Sequence, residues 1–196
     1  MYREGGGFEP SERARYDQGM AITIYQMMPI PPDEAATQFV EADPLRIGVE
    51  LRFLDEAELD AAYGDDPDAV AEIEANKPAA GVEDRGISLH VFGDDGLEYL
   101  RFDMFEAGPH YHYIAHGLGE NVIVDFDPVA HGAMLPWALA QLRERLTPML
   151  ERAGARDLAT RVDEAQLAKQ LGEVERLVRE ADSELAGRIA AKAHSE

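Results

Sequence analysis

The sequence predicts an α+β fold: an antiparallel β-meander of about five strands, with short helices inserted after the first strand and two longer C-terminal helices. Three observations carry this reading. Between Arg46 and Phe126 apolar residues recur at every second position in five separate runs. The last four runs are joined by links of four to six residues, which close hairpins and are too short for parallel crossovers. From Leu135 onward the apolar spacing changes to three and four, the helical period.

Taken in order, residues 1–20 are a flexible, Gly-rich and charged N-terminal arm that opens with Gly5-Gly6-Gly7. An α+β domain follows over 21–155, and 156–196 form a C-terminal amphipathic helical region. Ala21 to Met28 reads as a weak strand or a docked arm, stopped by Pro29, Pro31 and Pro32. Asp33 to Ala42 reads as a short helix capped by Asp33 and ended before Pro44. Arg46 to Leu54 is a period-two strand with Ile47, Val49, Leu51 and Phe53 on one face and Arg46, Gly48, Glu50 and Arg52 on the other.

Two short helices come next. Asp55 caps the first, which ends at Gly64; Asp66 caps the second, with Pro67 at its first helical position. The acidic residues around them lack the alternate-ligand spacing of a calcium loop. Lys77 to Gly86 reads as a loop, and the four remaining strands cover Ile87–Phe92, Leu97–Phe105, His110–Ile114 and Asn121–Phe126.

Closing the hairpins tightly pairs Phe92 with Leu97, Phe105 with His110, and Ile114 with Asn121. One face then collects Ile87, Leu89, Val91, Leu100, Phe102, Met104, Tyr111 and Tyr113, and is the core face. The other collects Ser88, His90, Tyr99, Arg101, Asp103, Phe105, His110 and His112. On that face Asp103 lies opposite His112, and His110 opposite Asp125. Cross-strand neighbours stand about 5 Å apart and the two histidines about 6.5–7 Å apart. Two imidazoles and one or two carboxylates at such distances suit a divalent ion such as iron(II), manganese or zinc, so His110, His112, Asp103 and Asp125 are the candidate metal ligands. His116 and Glu120 are near enough in sequence to swing in, whereas His90 falls out of reach along the strand.

The helical end has two parts. Leu135, Leu139, Leu142, Leu146, Met149 and Leu150 make one stripe, with Pro148 kinking or restarting it, Thr147 as a local cap and Gly154 as its stop. Trp137 is a packing anchor. Leu167, Leu171, Val174, Val178, Ala181 and Leu185 make a heptad seam that packs on the domain or on a partner, including a second copy of the chain.

Composition bounds the function. A net charge of −21, from 39 acidic against 18 basic residues, repels phosphate backbones and anionic lipid, so neither nucleic acid nor membrane is an expected partner. The absence of cysteine excludes disulfides, thiolate metal sites and a cysteine nucleophile. The first residues lack the apolar run of a signal peptide, and the expected location is cytoplasmic. No nucleophile elbow, phosphate loop, dinucleotide fingerprint or zincin helix is present.

Phe102-Asp103-x-Phe105-Glu106 followed by Pro109-His110-Tyr111-His112-Tyr113, with Leu135-Pro136-Trp137-Ala138-Leu139 beyond, resembles an uncharacterised bacterial family known as a domain of unknown function. The resemblance spans roughly 85–155 and implies no activity, cofactor or site residue. His110-x-His112 is also similar to the His-x-His of cupin metal sites, but the glycine before it and the glutamate after it are missing here.

Two functions of different class follow. The first is a soluble, acidic, non-catalytic binding or interaction protein, engaging a partner or itself through the C-terminal seam. The second is a divalent-metal-binding protein or metal-assisted enzyme centred on His110, His112 and Asp103. The first ranks ahead because only one strand pair asks for chemistry.

Overall fold

A computed structural model describes residues 22–193 of the chain. The arm expected over 1–20 lies outside the described residues. The elements are β1 (Ile22–Tyr25), β2 (Gln38–Ala42), β3 (Leu45–Asp55), α1 (Glu56–Tyr63), α2 (Pro67–Asn76), β4 (Glu83–Gly93), β5 (Glu98–Phe105), β6 (His110–Ala115), β7 (Glu120–Asp125), α3 (Pro128–His131), α4 (Met134–Glu144), α5 (Leu146–Arg152), α6 (Arg156–Ala159) and α7 (Glu164–Ala193).

The strands form one antiparallel sheet in the order β1-β7-β6-β5-β4-β3-β2. It has seven strands among the described residues, not about five. The two additions are its edges. The weak run before the prolines becomes β1 and pairs with β7. The helix expected over 33–42 is instead one turn followed by β2. Asp33 does cap, its carboxylate accepting from the Ala35 N–H at 2.9 Å, but the β-branched and aromatic Thr37, Phe39 and Val40 pull the chain into a ladder with β3. The loop expected over 77–86 is also shorter, because β4 already begins at Glu83.

Helices α4 to α7 cover the core face. Ile47, Val49, Leu89, Val91, Leu100 and Phe102 meet Ala138, Leu142, Leu150, Leu171 and Val174 in one buried cluster. Trp137 anchors one side, its ring 5.0 Å from Phe126, 5.1 Å from Tyr111 and 6.1 Å from Phe102. Phe53, expected in the core, is 40% exposed at the end of β3, with the Arg188 guanidinium 5.7 Å from its ring.

The heptad seam belongs to the chain's own core. Leu167, Leu171, Val174, Val178 and Leu185 are all buried, and α7 packs across β2, β3 and β4. A partner therefore finds none of these side chains available, which corrects the expected docking role. Asp163 caps α7, accepting from the Ala165 and Gln166 N–H groups. Pro148 restarts the preceding helix as expected, but Arg145 rather than Thr147 is the residue at the break. Gly154 then ends α5 with φ +83°, a conformation that costs glycine nothing.

The opposite face of the sheet is the decisive one. Strands β1 and β2 follow each other in sequence yet occupy opposite edges, so the connection between them must cross the whole sheet. Six strand gaps of about 4.8 Å make roughly 29 Å, and the twelve residues of the connection reach about 40 Å when extended. The connection therefore spans the sheet with little slack, and Pro29, Pro31 and Pro32 favour an extended course before the turn that begins at Asp33. It crosses the polar face, with Tyr63 of α1 and Glu72 of α2 holding it. A face expected to be outward is consequently buried: Glu50, Arg52, Ser88, His90, Glu98, Arg101, Asp103 and His112 are each no more than 8% exposed. No helix among the described residues is long and apolar enough to cross a membrane.

Candidate metal centre

Strand register assembles the centre. Glu50, Ser88, Asp103, His110 and Asp125 are successive partners across β3 to β7 and form one row. Gly48, His90, Arg101, His112 and Ile123 form the row beside it. The β6–β7 pairing is the expected one, with Ile114 opposite Asn121. The other two hairpins are each displaced by two residues, which leaves every side chain on its expected face. Leu89 rather than Ile87 faces Phe102, and His110 rather than His112 lies directly opposite Asp103.

Each displacement has a local cause. In the first hairpin the turn takes one extra residue, with the Gly93 N–H donating to the Leu97 carbonyl, and a β-bulge after Glu98 adds another. In the second, Asp84 of β4 captures the turn by accepting from the Ala107 and Gly108 N–H groups at 3.0 and 2.8 Å. That turn leans on β4 and cannot close tightly over β6.

Asp103, His110 and His112 come together. Each offers one ligand atom, and all three atoms lie within 4.8 Å of one another. His110 Nε2 stands 3.2 Å from Asp103 Oδ2 and His112 Nε2 stands 3.0 Å from the same oxygen. Ser88 Oγ donates to the other oxygen, Oδ1. The remaining nitrogens are also engaged: His110 Nδ1–H donates to the Gly108 carbonyl at 2.6 Å, and His112 Nδ1–H donates to Asn121 Oδ1 at 2.7 Å. Asp125 faces His110 in register, but its carboxylate lies outside the three-atom cluster. His116 does not swing in; its Nε2 is bound to the Glu98 carbonyl and its ring packs on Tyr99. Glu120 pairs with Ala115 at the far end of β6.

Burial works to raise the Asp103 carboxyl, but its bonds to both histidines outweigh that and hold it well below the usual carboxylate range. Burial also works to lower His110, and its bond to Asp103 overrides this, leaving it raised. At His112 burial prevails over the bond to Asp103, and the imidazole is lowered. With Nδ1–H donating to Asn121, His112 Nε2 stands 3.0 Å from the Asp103 carboxylate.

A second buried network shares this face. His90 Nδ1 lies 2.7 Å from Glu98 Oε1, and its Nε2 lies 3.1 Å from Glu50 Oε2. His90 is outside the three-residue cluster, but not for the expected reason of distance along the strand: it shares a row with His112, and both its nitrogens face the carboxylates of this second network. Arg101 donates to Glu98 through Nε at 2.8 Å and Nη2 at 2.6 Å. Burial favours the neutral Glu98 acid, but the bonds and charge of Arg101, with His90, bring its pKa down to about 2.

Sequence reasoning missed Glu98 because strict alternation places it with Leu100 on the core face. The bulge turns it to the polar side, three residues from Arg101. It also missed Asn121 and the Gly108 carbonyl, which orient the two rings. The signal available for Asn121 was an amide in a strand otherwise rich in valine and isoleucine.

The model of the family described as a domain of unknown function (DUF7700) matches residues 39–178, a span that includes Asp103, His110 and His112. No curated protein and no solved structure matches the chain.

Proposed function

The chain belongs to the DUF7700 family, and we propose that it is a divalent-metal-binding protein whose ion is held by His110 Nε2, His112 Nε2 and the Asp103 carboxylate. The observation that carries this reading is the convergence of two imidazole Nε2 atoms on one carboxylate oxygen, with each Nδ1–H donating to an acceptor. Histidine metal ligands are oriented this way, the second nitrogen donating to a carbonyl or carboxylate oxygen.

The spacing supports the reading. Donors about 2.0–2.2 Å from an ion and about 90–110° apart are themselves about 2.9–3.5 Å apart. The two nitrogen-to-oxygen separations, 3.2 and 3.0 Å, fall inside that range. Two imidazoles and one carboxylate suit zinc, manganese or iron(II), and three protein ligands leave coordination positions for water or substrate. The His110 side chain, 18% exposed, is the least buried of the three. A chain of net charge −21 also attracts cations over its whole surface. The competing interaction role loses its basis at the seam, whose side chains are buried in this chain.

Titration of chelator-treated protein with zinc, manganese and, without oxygen, iron(II) tests the proposal. One saturable site is expected with at least one of these ions. Asn121→Ala, which removes only an orienting bond, is expected to weaken binding about 10–100-fold, and His110→Ala or Asp103→Asn by more. A folded parent that binds none of the three ions, or variants that bind as well as the parent, overturns the proposal.

A further inference from the structure

The connection between β1 and β2 does more than join two edges. Its docking is made by side chains gripping its backbone. The Gln26 N–H donates to both carboxylate oxygens of Glu72, at 3.0 and 2.9 Å. The Met28 carbonyl accepts from the Tyr63 hydroxyl at 2.7 Å. The Ile30 carbonyl accepts from Arg101 Nη2 at 2.9 Å and Arg52 Nη1 at 3.4 Å. The Asp33 N–H donates to Glu50 Oε1 at 3.1 Å. Pro29, Pro31 and Pro32 have no N–H, so this stretch cannot pair as a strand.

The position of Ile30 is informative. Arg101 stands in the row of His112, and Arg52 stands one row beyond that of Asp103. A carbonyl reached from Arg52 on β3 and from Arg101 on β5 lies over β4 between them, at the position of Ser88, one strand from Asp103 and two from His110. Between that point and Tyr25, which pairs with Asn121 of β7, the strap has to pass over β5 and β6, the strands of the proposed metal centre, where Asp103 and His112 are 3% and 4% exposed.

We infer that residues 26–33 are a gate over the metal centre, a strap that lifts to admit an ion or a metal-bound ligand and closes through the Tyr63 and Glu72 latches. This inference rests on the metal-binding reading. Its hinges are the end of β1 at Tyr25 and the turn in which the Asp33 carbonyl accepts from the Ala36 and Thr37 N–H groups. Both latches belong to α1 and α2, outside the sheet, and neither touches a proposed ligand. A gate has a kinetic signature. It changes how often the site is open, so it scales entry and exit together and leaves the equilibrium affinity unchanged.

The test uses the full chain loaded with zinc, the Tyr63→Phe and Glu72→Ala variants and their combination. Zinc release into excess chromophoric chelator and zinc uptake by stopped flow are measured, with the affinity determined separately. The double variant is expected to speed both uptake and release at least about fivefold, with the dissociation constant altered less than about twofold. Circular dichroism and melting temperature establish that the variants are folded. Backbone hydrogen exchange at Met28 and Ile30 gives a second readout, expected to accelerate in the same variants. Unchanged uptake and release in a zinc-binding double variant overturn the gate and leave the metal site standing. A change in affinity carried by release alone also overturns it, because the latches would then act on the ligands. A parent that binds no zinc, manganese or iron(II) overturns both readings.

Discussion

Replacing Glu98 with glutamine removes the counter-charge of a guanidinium that is 2% exposed. In the parent, Arg101 donates two hydrogen bonds to this carboxylate and a third to the Ile30 carbonyl. The glutamine can still accept one bond, but the positive charge is left buried without its partner. The lowering of the carboxyl from 4.5 to about 2 sets the scale. At about 1.4 kcal/mol per pH unit it corresponds to about 3 kcal/mol, which agrees with the roughly 3–5 kcal/mol lost when a buried pair is broken. For a chain of this size that lowers the melting temperature by about 6–12 °C. The sign in pH is definite. A carboxyl depressed in the folded state contributes fully above its unfolded value of 4.5, and the contribution is lost as pH falls toward about 2. Urea unfolding of parent and Glu98→Gln at pH 7, and in steps down to pH 2.5, should show a difference of about 3 kcal/mol that shrinks through that window. A difference below about 1 kcal/mol at pH 7, or one that does not change with pH, would refute the account of this network.

Two further outcomes test the packing. Leu171→Ala, at a position 1% exposed on the buried face of α7, should cost about 2–5 kcal/mol in denaturant unfolding, while Leu118→Ala, at 72% exposed, should cost less than about 0.5 kcal/mol; equal small effects would place the seam outside the core. Gly86→Ala should destabilise by about 1–3 kcal/mol on the same measurement, because a Cβ there would stand 2.3 Å from the Met104 carbonyl oxygen and 2.7 Å from Phe105 Cα, both backbone atoms that cannot turn aside; a neutral substitution would contradict the close approach of β4 and β5.

Local pattern made much of this molecule legible. Period-two alternation separated Leu89, Phe102 and Tyr113 from Ser88, Asp103 and His112, and the structure keeps that separation even where the pairing slipped by two. The reason is geometric, since a two-residue slip preserves faces and a one-residue slip inverts them. Capping chemistry was equally local: Asp55 and Asp66 begin α1 and α2 because a carboxylate reaches only the N–H groups two and three residues ahead. The β6–β7 register came out as expected, and it carries Asn121 to His112.

What the sequence determined by itself, then, is which residues share a face and where α1 and α2 begin, because both follow from contacts a few residues apart. Tertiary structure alone decided three things. A bulge after Glu98 set Ser88 opposite Asp103, the capture of the next turn by Asp84 set His110 opposite it, and no short-range pattern encodes either event. The helical seam met its own sheet, a choice between partners that periodicity cannot make. The placement of β1 and β2 on opposite edges sent the proline strap across the polar face. Burial of the histidines and carboxylates follows from that crossing, because only the order of strands in space obliges those residues to pass over them.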